Sequence, residues 1–149
     1  MSHSHQVDLY RILFLRMRRS VVRGGIVINA KPVFIIAVID LIGEGKIQRN
    51  EIYFNDCLKE KYTEEYSSLL PDAPLTPCYR PFFHLSSDDF WHIRWIHEVD
   101  ANSMTEKRLR DNALYASFDN ALWDVLQDEE VREYYKKEII KFFLTDEKK

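Results

Sequence analysis

Two cysteines, Cys57 and Cys78, are all that the chain contains. That is too few for a disulfide framework or a cysteine zinc site, and it points to reduced thiols in a cytoplasmic protein. Long apolar runs are missing too. The longest, Val33 to Ile39, has seven residues, against the ~20 that a membrane-spanning helix needs. The opening MSHSHQVDLY lacks a basic stretch followed by an apolar core, so no secretory signal is read. The enzyme signatures GxxxxGK(S/T), GxGxxG, GxSxG and HExxH are all absent. Aromatics, by contrast, are plentiful: nine Phe, eight Tyr and three Trp supply a core and exclude global disorder.

At 149 residues the expectation is one domain over 7–144, with tails at 1–6 and 145–149. The net charge of −3 looks wrong for a nucleic-acid binder, but it is unevenly spread. Residues 1–49 hold eight Lys/Arg against three Asp/Glu, and residues 50–149 hold 13 against 21. Between Arg11 and Lys31 stand six basic residues and no acid. Such asymmetry suggests a local anionic partner, with a solvated helix face as the plain alternative.

Periodicity predicts a mainly helical α+β domain with a small antiparallel sheet or hairpin. Tyr10, Leu13, Phe14, Met17 and Val21 make one stripe of a helix over 7–23. Arg11, Arg16, Arg18, Arg19 and Arg23 fall on its opposite arc, and Gly24-Gly25 stop it. Lys31-Pro32 opens a second helix, apolar nearly all round and therefore central, which ends at Gly43 and Gly45. Within it Asp40 reads as a carboxylate paired with an arginine, or as the one polar position that reaches solvent. Residues 47–54 read as a short strand. Asn55-Asp56 caps a third helix along Leu58, Tyr62, Tyr66 and Leu69. Pro71, Pro74, Pro77 and Pro81 make a stiff extended loop that loses little entropy on meeting a ligand. Phe82–Leu85 and Phe90–Ile96 read as strands of a hairpin turned at Ser86–Asp89. Asp119–Leu126 and a helix after Asp128 close the chain.

The histidines offer little chemistry. His84 and His92, facing each other across that hairpin, would need Asp88, Asp89 or Glu98 to hold a metal. Cys57 has no histidine near it in sequence and reads as a small buried thiol. No cofactor is expected.

The segment order resembles the DNA-binding domain found ahead of HNH nuclease domains in modification-dependent restriction endonucleases, members of which recognise phosphorothioate DNA. The matching stretches are Lys31-Pro32 with VFIIAVIDLIGEG, then NEIYFND, then Pro81–Leu85 with Asp88–Trp91 behind it. The last is Ala121–Asp128 with Arg132 and a closing helix that ends in Phe142-Phe143. They cover about 8–144. The pattern differs at three places. Ala30 precedes the Lys-Pro pair where a polar residue is common. Arg80 directly precedes Pro-Phe where tyrosine is common, with Tyr79 one position earlier. His84 stands where a small residue helps to form the sulfur cup. The nuclease part is missing.

The resemblance implies a non-catalytic double-stranded-DNA reader in bacterial restriction or defence, phosphorothioate DNA among its targets and a nuclease subunit as its companion. On the residues, the expected DNA contacts are Arg16, Arg18, Arg19, Arg23, Lys31, Arg80 and the cluster Lys107, Arg108 and Arg110, placed in a loop. Four such phosphate contacts give a log K against log salt slope of about −3.6. Tyr79, Pro81, Phe82 and His84 form the expected sulfur and backbone pocket, because sulfur is larger and less hydrated than oxygen and favours apolar neighbours. The rivals are a protein-interaction module, using the aromatic hairpin and the acidic C-terminal two-thirds, and a metal-dependent enzyme built on His84, His92 and a carboxylate.

Overall fold

A computed structural model describes residues 4–145, leaving the side chains of Ser4 and Arg23 outside that description. The centre is α2 (Ala30–Gly43). Its sequence buries Val33 through Ile39 without a break, as an all-round apolar helix must. Pro32 sits in the first turn, where its missing N–H is harmless. Gly45, at φ +77, turns the chain past the helix end. Around α2 pack α3 (Asp56–Leu69), α7 (Glu129–Ile139) and the short α4 (Tyr79–His84). The Phe34 ring meets Trp91 at 5.4 Å, Tyr62 at 6.0 Å and Phe82 at 6.1 Å.

The fold is a single α+β unit, mainly helical, with two small antiparallel two-stranded sheets. Several expected elements hold. Asn55 caps α3 by accepting from the Leu58 N–H at 2.9 Å, and Asp128 caps α7 from the Glu130 N–H. The α6 helix (Asn120–Val125) follows Asp119. Beyond α7 the chain continues as a π-turn over Ile140–Leu144.

Other elements differ, each for a local reason. The first helix, α1 (Ser4–Leu15), begins inside the expected tail and stops before Arg16. The Arg18 N–H leaves the helical ladder to donate to Asp88 Oδ1 at 3.0 Å. The β-branched pairs on either side of Gly24-Gly25 then form a hairpin of β1 (Val21–Val22) and β2 (Ile26–Val27). Both glycines have positive φ there, so they make the turn and do not cap a helix. Val21, expected in the core, is 63% exposed. Residues 47–54 contribute only a bridge, Ile52 to Ala116.

Phe82–Leu85 is helical, which removes the predicted aromatic hairpin. Pro81 needs no N–H in the first turn of α4, and Pro81, Phe82 and Leu85 are buried at helical spacing. The true partner of β3 (Trp91–Trp95) is β4 (Ala113–Phe118), in the register Trp91 to Phe118 and Ile93 to Ala116. Lys107, Arg108 and Arg110 lie on α5 (Glu106–Asn112), not in a loop. Cys57 is exposed, and Cys78 is the buried thiol.

The partner of Asp40 is a lysine: Lys136 Nζ lies 2.6 Å away. Asp40 also hydrogen-bonds Glu65. Burial, this bond and the Asp40 charge push the Glu65 carboxyl up to about 7. Unfolded, Glu65 releases its proton near 4.5. Between those values the folded state holds the extra proton, so stability falls as pH rises from about 4.5 to 7. Glu65→Gln, which cannot ionise, is expected to raise Tm above wild type at pH 8 and to match it near pH 4. An equal change at both pH values in a thermal melt counts against the shared proton.

Candidate nucleic-acid interface

Two stretches far apart in sequence, 18–31 and 74–84, enclose a groove of about 410 Å³. One wall is Arg18, Arg19 and Ser20 with Val22 and Ile28 of the hairpin region. The base is Ala30 and Lys31, at the start of α2. The opposite wall is the proline loop, Pro74 to Pro77, continued by Arg80, Pro81 and His84 of α4. Among the described residues that line it are four cations, Arg18, Arg19, Lys31 and Arg80, and no acid.

Each cation is held differently. Lys31 Nζ reaches Asp88 Oδ2 at 2.5 Å, and both side chains are nearly inaccessible, at 11% and 4%. Because Asp88 also takes the Arg18 N–H, this carboxylate fixes the base and one wall together. Arg19 donates from Nη1 to Asn29 Oδ1 at 2.8 Å, and its guanidinium lies 4.6 Å from the centre of the Phe143 ring. Partial burial lowers its pKa. Arg80 is exposed, 5.5 Å from the Tyr79 ring. The His84 pKa is lowered from its ordinary 6.5 by burial, then by Lys31 and Arg80.

Of the residues expected from sequence, Arg18, Arg19, Lys31, Arg80, Pro81 and His84 are brought together here. Arg16 is exposed but does not line the groove, and the Arg23 side chain lies outside the described residues. Arg11 is turned away to Glu138 at 2.8 Å. Phe82 cannot share a pocket with His84. Two residues apart on a helix they point in nearly opposite directions, and Phe82 is fully buried, with its carbonyl accepting from Trp91 Nε1. Tyr79 supports Arg80 from outside the lining.

The second basic cluster is largely neutralised. Lys107 pairs with Asp111 at 2.6 Å, Arg110 lies 3.7 Å from Glu106, and Arg108 donates to Ser103 Oγ. None of the three lines the groove. The metal alternative is not assembled either. His92 bonds Asp119 at 2.6 Å on β3, while His84 faces the groove on α4. Among the described residues no three His, Cys, Asp or Glu side chains converge as metal ligands. No described helix is long and apolar enough to cross a membrane.

Sequence reasoning missed Val22, Ile28, Asn29 and Phe143. The VV-RGG-IV pattern, two β-branched runs around a Gly-Gly turn, was the available signal for the hairpin. A larger cavity, about 560 Å³, lies at the other end of α2, where it meets Asn55, Cys57 and Leu58. It carries two cations, Lys46 and Arg49, with Arg49 beside Glu51 at 3.7 Å. The smaller groove has twice that charge and no acid, so it is the stronger candidate for an anion.

Neither a protein-family model nor a curated protein matches the chain.

Asp88 is the strut of this site. Asp88→Asn leaves Lys31 without its counter-charge in a confined place, and is expected to cost about 3 kcal/mol, as breaking a buried pair does. Urea unfolding measures it. A loss below about 1 kcal/mol shows instead that Lys31 finds solvent.

Proposed function

We propose that this chain is a non-catalytic DNA-binding module whose groove seats backbone phosphate groups, related to the phosphorothioate-reading domains of restriction endonucleases. The observation that carries it is the convergence of four cations and no acid in one groove. Cations on a shaped surface position DNA through its phosphates. The walls supply the second requirement of a sulfur reader. Ala30, Ile28, Leu75, Pro77 and Pro81 put apolar atoms beside the guanidinium groups, and a phosphorothioate sulfur, large and weakly hydrated, suits apolar neighbours better than an oxygen does. Arg80, exposed on the α4 wall, is placed to reach a phosphate or a guanine edge. A nuclease unit completes the function, and the setting is the bacterial cytoplasm.

A protein-interaction module is the second reading. The aromatic hairpin once suited to it does not form, but the β1–β2 hairpin exposes Val21 and Ile26 at 63% each.

Lys31 already has Asp88, so three guanidinium groups remain for phosphates. The expected log K against log salt slope is therefore about −2.7. Fluorescence-polarisation titrations with matched oxygen and phosphorothioate duplexes test the reading. Arg18→Glu with Arg80→Glu should abolish binding near physiological salt, and the sulfur duplex should bind more tightly. Unchanged affinity in the double variant removes DNA binding. Equal affinity for the two duplexes removes sulfur preference alone. A protein partner held regardless of salt, with no DNA bound, establishes the second reading.

A further inference from the structure

His84 is the one titratable group in the groove that can change charge near neutral pH. Its surroundings are one-sided. Lys31 faces it from α2, with Asp88 behind that lysine, and Arg80 faces it from one turn earlier on its own helix. Arg18 and Arg19 stand on the wall that follows α1, and the proline loop contributes Thr76 and no charge. The Phe83 ring lies edge-on at 5.1 Å. Among the described residues the imidazole has no hydrogen-bond partner. Partial burial, then the charges of Lys31 and Arg80, lower its pKa and so favour the neutral ring. A histidine with a free ring edge, inside a groove otherwise built of fixed positive charge, suits a guest that brings negative charge.

We propose that His84 is the proton-linked binding residue of the groove: when a phosphodiester oxygen enters, the imidazole takes a proton from solvent and donates it in a hydrogen bond to that oxygen. The inference rests on the DNA reading above and adds to it a defined residue and a thermodynamic signature. An anion in contact raises the histidine pKa that the cations had lowered. Binding then takes up as much as one proton. Affinity rises as pH falls through the bound-state pKa and levels off below the free-state pKa. Within that window each pH unit changes Kd by at most about tenfold.

The test uses the full chain and an unmodified duplex at fixed salt, over pH 5.5 to 8. Kd is measured by polarisation for the wild type and His84→Asn, and the His84 ring is followed by NMR with and without DNA. The wild type should bind several-fold more tightly at pH 6 than at pH 8. His84→Asn should gain much less affinity than the wild type on acidification, whatever its affinity at pH 8. The ring should titrate below 6.5 when free and at a clearly higher pH when bound. The ring titration needs no variant, so a folding defect in His84→Asn does not blunt the test. An identical midpoint with and without DNA, or the same pH slope in both proteins, overturns the proposal and leaves DNA binding intact. No binding at any pH overturns the DNA reading, and this proposal with it.

Discussion

The Lys31–Asp88 ion pair is the constraint on which the site depends. Asp88 closes the turn after α4, Lys31 opens α2, and the same carboxylate catches the main chain at Arg18. One side chain thus ties three stretches of chain, at 18, 31 and 88, into a fixed relation. Phe14 and Met17 root the end of α1 in the core, and this tie then sets the main chain at Arg18 against the turn after α4. The pair is nearly closed to water, so bulk solvent screens it little. Its neighbours complete the frame. Asn29 orients Arg19 and also donates to the Phe143 carbonyl, which brings the end of the last helix to the same place.

The groove combines two chemistries that water normally keeps apart. Its guanidinium groups call for an anion, while its prolines and aliphatic side chains repel a strongly hydrated one. A soft, poorly hydrated anion satisfies both, as does a phosphodiester flanked by sugar carbons. Rigidity helps. Three prolines at 71, 74 and 77 restrict the loop before any guest arrives, so less entropy remains to be lost on binding.

How much of this the sequence told depends on the range over which each signal acts. The central helix was legible because nine of the ten residues from Val33 to Ile42 are apolar, and the caps at Asn55 and Asp128 because capping is local chemistry. Gathering Arg18, Arg19 and Lys31 was legible only as composition, through charge crowded into one third of the chain, and Arg80 only through its place before the Pro81-Phe82 pair. What failed were contacts set at long range. Helix α1 ends where Asp88, 70 residues away, captures an amide. Strand β3 chose Ala113–Phe118 over the nearer Phe82–Leu85, whose aromatic run looks extended until Pro81 starts a helix. Residue type alone does not report exposure, so in the sequence Phe82 reads as pocket lining although it is core.

The β1–β2 hairpin has a practical consequence. Its four strand residues are all exposed, and its ladder consists of two residue pairs, Val21 with Val27 and Val22 with Ile26. Both outer edges carry no charged strand residue and no proline, the devices by which proteins commonly discourage edge-to-edge stacking. The shortness of the ladder is the one safeguard left, so lengthening this ribbon would invite stacking, and a lysine at position 21 or 26 is the natural added protection for crystallisation or NMR work.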